Sequence, residues 1–405
     1  MITIKKPQVI SSGKVSRLSA EILVDDVQSE LWMEVDEKYH DMLCADCSDA
    51  FVAGLIFMAI LNNHDITFEA PISQQLKEQL EYDYIDVLAQ RQPRVAHSIR
   101  LIGPSTTRYQ VKERSIASGC SCGVDCLYTL KRRVVESKCP RRYLVVSNMH
   151  GHVAHDNMEN ETWRWEYLRR IANSFSKDAG IPLIEVDTNY GRGEVPGIVF
   201  EGRTTFGNLF VALGLQNGLT DYYVASGGPV VDFGKYLKGG ILGTDCSNFD
   251  LLTLSAFSTQ SMKFIVNGLE DRTNKVRCLC DWPLALRHLD VCHVHKKGNY
   301  KNGTYDCPKC IYTIQEIMAV SPDALDKFKD VFDVEYIKAH KEVVLAELIR
   351  KRLIKAETAL ECWPFVHQMG FSKSDWIKAI LIVVKKIIKK VGRRGCVNHE
   401  FNPYG

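Results

Sequence analysis

The most informative segment of the chain is Ser115-Ile-Ala-Ser-Gly-Cys-Ser-Cys-Gly-Val-Asp-Cys-Leu-Tyr-Thr129. Its first five residues are apolar or small, as in a buried strand, and small residues then form a turn before a helix that begins near Asp125. Such a turn leaves backbone N–H groups unpaired beside the positive end of the helix dipole. The segment therefore predicts a phosphate-binding loop. The alternative is a strand-to-helix turn that binds no ligand.

The residues around this loop alternate between strand-like and helix-like patterns. Short apolar strands are predicted at Ser115–Gly119, Tyr143–Asn148, Leu183–Asp187 and Tyr222–Ser226. Helices are predicted between them at Asp125–Glu136, Met158–Ala179 and Thr205–Gly218. Alternation at this spacing indicates an α/β fold with a parallel sheet covered by helices on both faces. Ligands bind such sheets outside the carboxyl ends of the strands.

The segments before and after this region predict three further parts of the chain. Residues 1–105 read as an α+β accessory domain, with strands at Ser19–Val24 and Glu30–Val35 and an apolar helix at Asp49–Asn62. Residues 106–275 form the predicted nucleotide-binding domain. Residues 276–320 are rich in cysteine, and residues 321–405 are helical in pattern.

Composition and charge limit the classes of function. A net charge of +2 gives no overall attraction to nucleic acid. Residues 1–22 contain no continuous apolar segment of a secretory signal, which predicts a cytoplasmic protein. The apolar stretches Ala50–Leu61 and Ala379–Val384 are both shorter than the ~20 residues of a membrane-spanning helix. The 14 cysteines are therefore expected to be reduced thiols or metal ligands.

The turn itself carries a family resemblance. Ser121-Cys-Gly-Val-Asp-Cys126 resembles the SGGxDS signature of the PP-loop family, the N-type ATP pyrophosphatases or adenine nucleotide α-hydrolases. The resemblance implies a PP-loop, HUP-like core that binds ATP and Mg²⁺. It also implies that a substrate oxygen attacks the α-phosphorus of ATP, so that an adenylate forms and pyrophosphate leaves. Cys122 and Cys126 depart from the signature, since they replace a glycine and a serine.

The resemblance also implies roles for single residues. Ser121 and Gly123 would hold phosphate, and Asp125 would hold Mg²⁺ or order the loop. The strand Arg142–Asn148 would seat adenine at its end. The implied nucleotide-binding residues are Ser118, Ser121, Gly123, Val124, Asp125, Cys126, Asn148 and Ser226.

Further segments resemble the same family. They are Pro182–Asn189, Arg203–Asn208, Tyr222–Gly228 and Ser258–Thr273. Arg272, in the last of these, is a candidate catalytic residue that would meet phosphate or a substrate carboxylate through two hydrogen bonds. The alternative is an exposed arginine with no ligand.

A second motif lies between residues 292 and 310. Cys307-Pro-Lys-Cys310 has the C-x₂-C spacing of a zinc site, and Cys292 lies fifteen residues upstream. His295 is the predicted fourth ligand, with His293 as its alternative and with Cys278 and Cys280 as possible donors from farther along the chain. The 7-cyano-7-deazaguanine synthases of the PP-loop family carry a four-cysteine zinc site after their sheet, which favours structural Zn²⁺. The alternative is a set of ordinary core thiols.

The C-terminal segment predicts an amphipathic helix. Residues 372–395 contain eight Lys or Arg residues and one Asp. Such a helix either lies on an anionic membrane surface or docks on its own protein. Its apolar residues share one face and are Ile377, Ile380, Leu381, Val384, Ile387, Ile388 and Val391.

These patterns lead to one functional hypothesis and one alternative. The leading hypothesis is an ATP-dependent ligase that adenylylates a small-molecule or protein acceptor and transfers an amine, ammonia or a sulfur donor to it. The chemistry that it resembles most is that of 7-cyano-7-deazaguanine synthase. The alternative is an ATP-binding scaffold with impaired catalysis, because two positions of the loop are altered. Nucleic acid is not an expected partner.

Overall fold

A computed structural model describes residues 1–91, 96–107, 113–149, 158–198, 202–230, 233, 246–292, 301–305, 307–356 and 361–395. The chain divides into two compact units, Met1–Glu270 and Asp271–Gly405. We call them the sheet unit and the helical unit. Each is described by itself.

The described part of the sheet unit contains one sheet of eleven strands and a separate two-stranded sheet. The strands are β1 (Ile2–Ile4), β2 (Gln8–Ser11), β3 (Val15–Val24), β4 (Val27–Asp36), β5 (Ile66–Phe68), β6 (Ile72–Ser73), β7 (Leu101–Ile102), β8 (Ser105–Thr106), β9 (Ser115–Gly119), β10 (Arg141–Asn148), β11 (Leu183–Thr188), β12 (Asp221–Ala225) and β13 (Lys263–Asn267).

Five consecutive strands form a parallel core in the order β13-β12-β9-β10-β11. Gly119 of β9 is opposite Val145 of β10, and Ser118 is opposite Tyr223 of β12. The predicted α/β class with a mostly parallel sheet is confirmed. Helices separate these strands along the chain because a parallel pair needs a long crossover connection.

The first strands of the chain extend the same sheet. β4 pairs antiparallel with β11, and Val35 is opposite Val186. β3 continues from β4 as a hairpin of ten residue pairs. Residues 1–105 and 106–275 thus contribute strands to one sheet, so the predicted boundary near residue 105 lies inside a continuous hydrogen-bonded structure.

Apolar packing joins the two segments of this unit as well. The helix at Asp49–Asn62 is buried along nearly its whole length and packs against a later helix at Arg203–Gly214. The rings of Phe51 and Phe210 meet edge to face at 5.4 Å. A Cβ added at Gly54 would lie 3.3 Å from Phe210, so the absence of a side chain permits this close approach.

Among its described residues, the sheet unit contains the helices α1 (Asp49–Asn62), α2 (Gln74–Glu78), α3 (Asp86–Arg91), α4 (Val124–Thr129), α5 (Met158–Ala179), α6 (Arg203–Gly214) and α7 (Asp250–Ala256). Gln79–Ile85 and Leu130–Val135 are π-helical, and Glu37–Met42 and Cys246–Phe249 are 3₁₀ turns. The bounds of α1 and α5 coincide with those predicted from the sequence.

The helical unit contains α8 (Arg272–Leu279), α9 (Pro283–His288), α10 (Pro308–Val320), α11 (Val334–Ala339), α12 (Lys341–Leu353) and α13 (Lys373–Gly395). Its 3₁₀ turns are Ala324–Phe328 and Trp363–Gln368. Within the described residues, no helix is both long and apolar enough to span a bilayer.

The amphipathic helix α13 packs against α12 through a narrow line of residues. Ala379 and Val383, one turn apart, are 0% and 4% exposed. One of the two alternatives from the sequence is that this apolar face docks on the protein. That alternative is wrong for the residues of the face that the structure describes, because their side chains are 45–65% exposed. These are Ile377, Ile380, Leu381, Val384, Ile387 and Ile388. The docked line is a neighbouring stripe, where the small Ala379 allows close helix contact.

Docking through this line predicts a clear difference between two substitutions. Val383→Asp should lower the free energy of unfolding by about 3 kcal/mol, because it buries a charge with no partner. Leu381→Asp is the matched control and should change it little, since that side chain is 54% exposed. Thermal unfolding of the full chain measures both. Equal loss of stability in the two variants would contradict the docking line.

Candidate functional site

The predicted phosphate loop lies at the carboxyl end of β9. Cys120 N–H donates to the carbonyl of Val145 at 2.7 Å, so the chain still follows the sheet one residue after β9 ends. Gly123 is the N-cap of α4, and Leu127 N–H donates back to its carbonyl at 2.8 Å. The helical segment continues to Val135. Strand, turn and helix thus follow one another as the sequence predicts.

The strand order places this loop at a special point of the sheet. β9 is the first strand of the parallel core along the chain, yet it lies between β10 and β12 in space. The connections after β10 and after β12 therefore run toward opposite edges of the sheet. Open α/β sheets bind ligands at the crevice where the strand order reverses in this way. The loop after β9 lies at this reversal point of the strand order.

Cys122 replaces a glycine of the family signature and keeps the backbone shape that glycine favours. Its φ is +57°, in the left-handed region that costs other residues about 1–2 kcal/mol. The residue has 0% of its surface exposed. Its side chain therefore takes no space on the solvent-facing side of the loop, where a phosphate would approach.

The thiol of Cys126 closes the loop from inside. Its Sγ accepts the N–H of Ser121 at 3.2 Å and donates to the carbonyl of Gly119 at 3.2 Å. Burial, with the neighbouring Cys120, raises the pKa of Cys126 to about 12. The thiol is therefore protonated at neutral pH. It orders the turn by accepting the N–H of Ser121. According to the family resemblance, this N–H would point toward phosphate.

The other predicted nucleotide-binding residues lie along the same edge of the sheet. Asn148 ends β10, and its Nδ2 donates to Asp187 at 2.9 Å. Ser226 follows β12, and its N–H donates to the carbonyl of Asn267 at 2.8 Å. Ser118 and Val124 are buried at 1% exposure each. They support the loop, because a ligand cannot reach their side chains.

Two loop residues remain open to solvent. Ser121 is exposed, and Asp125, in the first turn of α4, is half-buried. Carboxylate and hydroxyl oxygens suit Mg²⁺ and phosphate at a helix start. Of the eight residues predicted to bind nucleotide, Ser121 has an exposed side chain, and the side chains of Asp125, Asn148 and Ser226 are half-buried.

Arg272 belongs to the helical unit, as the first residue of α8. Its Nε donates to the carboxylate of Glu316 at 3.1 Å, and Nη2 lies 3.4 Å from Thr313 Oγ1. Glu316 is fully buried, and the side chain of Arg272 is 14% exposed. The alternative of an exposed arginine is therefore wrong. The arginine is withdrawn from solvent together with Glu316, because a buried carboxylate needs a cationic partner. A role of Arg272 toward a ligand stays a prediction.

The second predicted site gathers three of its cysteines. The Sγ atoms of Cys292, Cys307 and Cys310 all lie within 4.8 Å of one another. No other group of three or more His, Cys, Asp or Glu residues in the described ranges has its ligand atoms so close together. Zn–S bonds of about 2.3 Å in a tetrahedron separate sulfurs by about 3.8 Å. The three thiols therefore can hold a metal such as zinc.

The fourth position of this site is not assigned by the described residues. His293 and His295 lie in the segment 293–300, outside the described ranges. The helix α10 adds a favourable charge, because Cys307 is its N-cap and Cys310 lies in its first turn. The positive end of a helix dipole stabilises thiolates.

Asn302 was not singled out from the sequence, yet it shapes this cluster. Its Oδ1 accepts the N–H groups of Val291 and Cys292 at 2.7 and 3.1 Å. Its Nδ2 donates to the carbonyl of Leu289 at 2.8 Å. This buried amide holds the backbone that carries Cys292. Sequence spacing cannot reveal such a residue, because an asparagine five residues before a C-x₂-C motif is also typical of a turn.

Comparisons of the chain with protein-family models, curated proteins and solved structures found no match.

The thiol cluster predicts bound metal. Purified protein should contain about one zinc per chain, and Cys307→Ser should lose it together with thermal stability.

Asn302→Ala should weaken zinc binding about 10–100-fold, since a residue that orients a ligand is lost. Cys47→Ser, a substitution of a half-buried cysteine in the sheet unit, is the control and should keep its zinc. The hydrogen bond with Cys292, together with burial, raises the pKa of Cys310, so zinc should be released as pH falls.

Elemental analysis and chelator competition measure the zinc content and affinity of these variants. A folded protein without zinc, or unchanged zinc content in Cys307→Ser, would show that the cysteines are ordinary thiols.

Proposed function

We propose that this protein binds ATP at the crevice beside β9 and transfers the adenylyl group to an acceptor with release of pyrophosphate. The observation that carries the proposal is the position of the β9–α4 turn. It combines a helix start, an exposed Ser121 and a half-buried Asp125 with the reversal point of a parallel sheet. This arrangement supports a site for the phosphates of a nucleotide.

The residues of the loop have distinct tasks in this proposal. Backbone N–H groups at the start of α4 and the hydroxyl of Ser121 would hold the β- and γ-phosphates. Asp125 would hold Mg²⁺, which neutralises charge on the leaving pyrophosphate. Cys126 keeps the turn in shape through Ser121 and Gly119. Asn148 and Ser226, at the ends of the two strands beside β9, would border the nucleoside.

The reaction that follows is a two-step transfer. An acceptor oxygen attacks the α-phosphorus of ATP, the bond to the β-phosphate oxygen breaks, and pyrophosphate leaves. An amine, ammonia or a sulfur donor then attacks the activated carbon, and AMP leaves. The acceptor is a small molecule or a protein with a carboxylate or amide oxygen. The zinc cluster belongs to the helical unit and would act structurally.

A second candidate function has its own observation. Because the Cys126 thiol occupies the N–H of Ser121, the loop offers one donor fewer than the family signature implies. Fewer donors aimed at the transferring phosphate mean less stabilisation of its transition state. The protein would then bind ATP as a scaffold without turnover.

One experiment separates the two functions. Mg·ATP binding is measured by equilibrium dialysis, and AMP and pyrophosphate release is measured across carboxylate and amide acceptors. Asp125→Ala should reduce AMP formation about 100-fold or more, because the carboxylate that would hold Mg²⁺ is lost. It should lower the melting temperature only slightly, because this side chain in the first turn of α4 is half-buried. Asp83→Ala, which alters an exposed carboxylate elsewhere in the sheet unit, is the matched control.

Cys126→Ser distinguishes loop shape from phosphate binding. A hydroxyl is the better donor and acceptor, so this variant should keep or raise AMP formation. ATP binding without AMP release in all variants would support the scaffold. Absence of ATP binding by the unmodified chain would remove both functions.

A further inference from the structure

A pair of cysteines precedes α1 in the sequence Cys44-Ala-Asp-Cys47-Ser-Asp49. Their sulfur atoms are 3.5 Å apart. Cys44 is 5% exposed, whereas Cys47 is half-buried. A disulfide needs its sulfurs at about 2.05 Å, so a side-chain rotation of modest size would join them. The spacing and the position before a helix are those of reactive dithiols.

A buried carboxylate contacts this pair. Asp49 is 2% exposed, and its Oδ2 lies 3.3 Å from the Sγ of Cys47. Gln216 Nε2 donates to both Asp49 Oδ2 and Cys47 Sγ at 3.0 Å. Ser73 N–H donates to Asp49 Oδ1 at 2.7 Å. Burial raises the pKa of Asp49, which makes it a stronger base toward the thiol than an ordinary aspartate.

The pair faces a cavity that a ligand can enter. The cavity has a volume of about 150 Å³ and is open to solvent. Its lining includes both thiols and Asp49, together with the polar side chains of Gln216, Thr259 and Gln260. The space admits one small polar arm, such as a half-cystine group, and is too small for a folded protein loop.

We propose that Cys44 and Cys47 form a redox-active dithiol that reduces a small-molecule disulfide and becomes an intramolecular disulfide. This activity is independent of ATP binding, because none of its residues belongs to the β9–α4 loop. Cys120 and Cys122 are another pair of neighbouring cysteines in the same unit, and their sulfurs are 4.0 Å apart. Both of those residues are buried, at 3% and 0% exposure.

The proposed reaction has two exchange steps. The hydrogen bond with Cys44, together with burial, raises the pKa of Cys47, so this more exposed thiol needs a base in order to react. Cys47 gives its proton to Asp49, and its sulfur attacks one sulfur of the disulfide R–S–S–R. The first R–S⁻ leaves and is protonated. Cys44 then attacks the sulfur of Cys47, a second R–S⁻ leaves, and the proton of Cys44 passes to it. Two protein thiols are oxidised by two electrons, and the small disulfide is reduced to two thiols.

Glutathione disulfide is the probe that tests this proposal. The reduced full-length protein is incubated with it without oxygen, free thiols are alkylated at intervals, and peptides are mapped by mass spectrometry. A Cys44–Cys47 disulfide should form first and be reversed by dithiothreitol. Cys120 and Cys122 should stay reduced. Cys44→Ser should accumulate a mixed disulfide at Cys47, and Cys47→Ser should lose the adduct.

Two carboxylate variants test the role of Asp49. Asp49→Asn should slow the first exchange about 100-fold, whereas Asp83→Asn, which alters an exposed carboxylate outside the cavity, should not slow it. Circular dichroism checks that the variants fold. If Asp49→Asn does not fold, the results with Cys44→Ser and Cys47→Ser decide whether the proposal holds. Oxidation of Cys278 before Cys47, or no adduct in Cys44→Ser, would overturn the proposal.

A different surface carries a second inference. The exposed apolar side chains of α13 form a stripe that we call the α13 stripe, namely Ile377, Ile380, Leu381, Val384, Ile387 and Ile388. At 3.6 residues per turn, Lys378 and Lys385 border the stripe on one side, and the docked Ala379 and Val383 border it on the other. Both lysines are exposed.

We infer that the α13 stripe lies on an anionic membrane surface. Apolar side chains beside a row of lysines match the boundary between acyl chains and negatively charged headgroups. The lysines argue against a second copy of the same helix as the occupant, because two such rows would repel each other. The helix lies in the interface plane, since its other side is held by α12.

Vesicle co-sedimentation tests this inference. The full chain should bind vesicles that contain phosphatidylserine, and should bind neutral phosphatidylcholine vesicles at least tenfold less strongly. Raised salt should release it. Ile388→Asp combined with Leu381→Asp should abolish binding without a change in melting temperature. Val230→Asp, at an exposed apolar residue of the sheet unit, is the control. Equal binding to both vesicles, or a self-association that these substitutions abolish, would overturn it.

Discussion

The hydrogen bonds of β9 to both β10 and β12 are the constraint on which the candidate nucleotide site depends. β9 has a parallel partner on each side, and both ladders end where the loop begins. The Ser115 N–H also donates to Thr220 Oγ1 at 3.0 Å, which holds the start of the strand. Because both neighbours end at the same edge, the loop, Asn148 and Ser226 lie along one edge of the sheet. A shift of either register would turn alternate side chains to the other face and separate these groups.

The cysteines of this chain lie in three different kinds of surroundings, and each kind suits a different role. The thiol of Cys126 is buried between two backbone groups and serves as a hydrogen-bonding side chain. Cys292, Cys307 and Cys310 meet one another at the start of a helix, which suits metal. Cys44 and Cys47 lie beside a buried carboxylate and an open cavity, which suits exchange. Reactivity follows thiolate formation and access, not the number of cysteines.

In the helical unit, a charged pair is buried, whereas a stripe of large apolar side chains is exposed. The Arg272–Glu316 pair is withdrawn from solvent and is held by further contacts to Thr313. Such a pair contributes to a defined helix arrangement at a cost in desolvation. The α13 stripe, in contrast, leaves large apolar side chains in solvent. Contiguous exposed apolar surface is typical of a binding face, and the charged residues beside it define the kind of partner.

The sequence by itself determined the local elements. The apolar runs and turn residues predict β9, α1 and α5 with their observed bounds, and the C-x₂-C spacing predicts Cys307 and Cys310 as neighbours, because these signals are short-range. Only the tertiary structure decided which distant groups meet. It joined β4 to β11 in one sheet, paired Arg272 with Glu316, and brought Gln216 to Cys47 across 169 residues. Such contacts depend on the packing of the whole core, which periodicity does not encode. For the same reason, the helical wheel of α13 shows an apolar face, but only the line of contact with α12 determines which residues that face leaves in solvent.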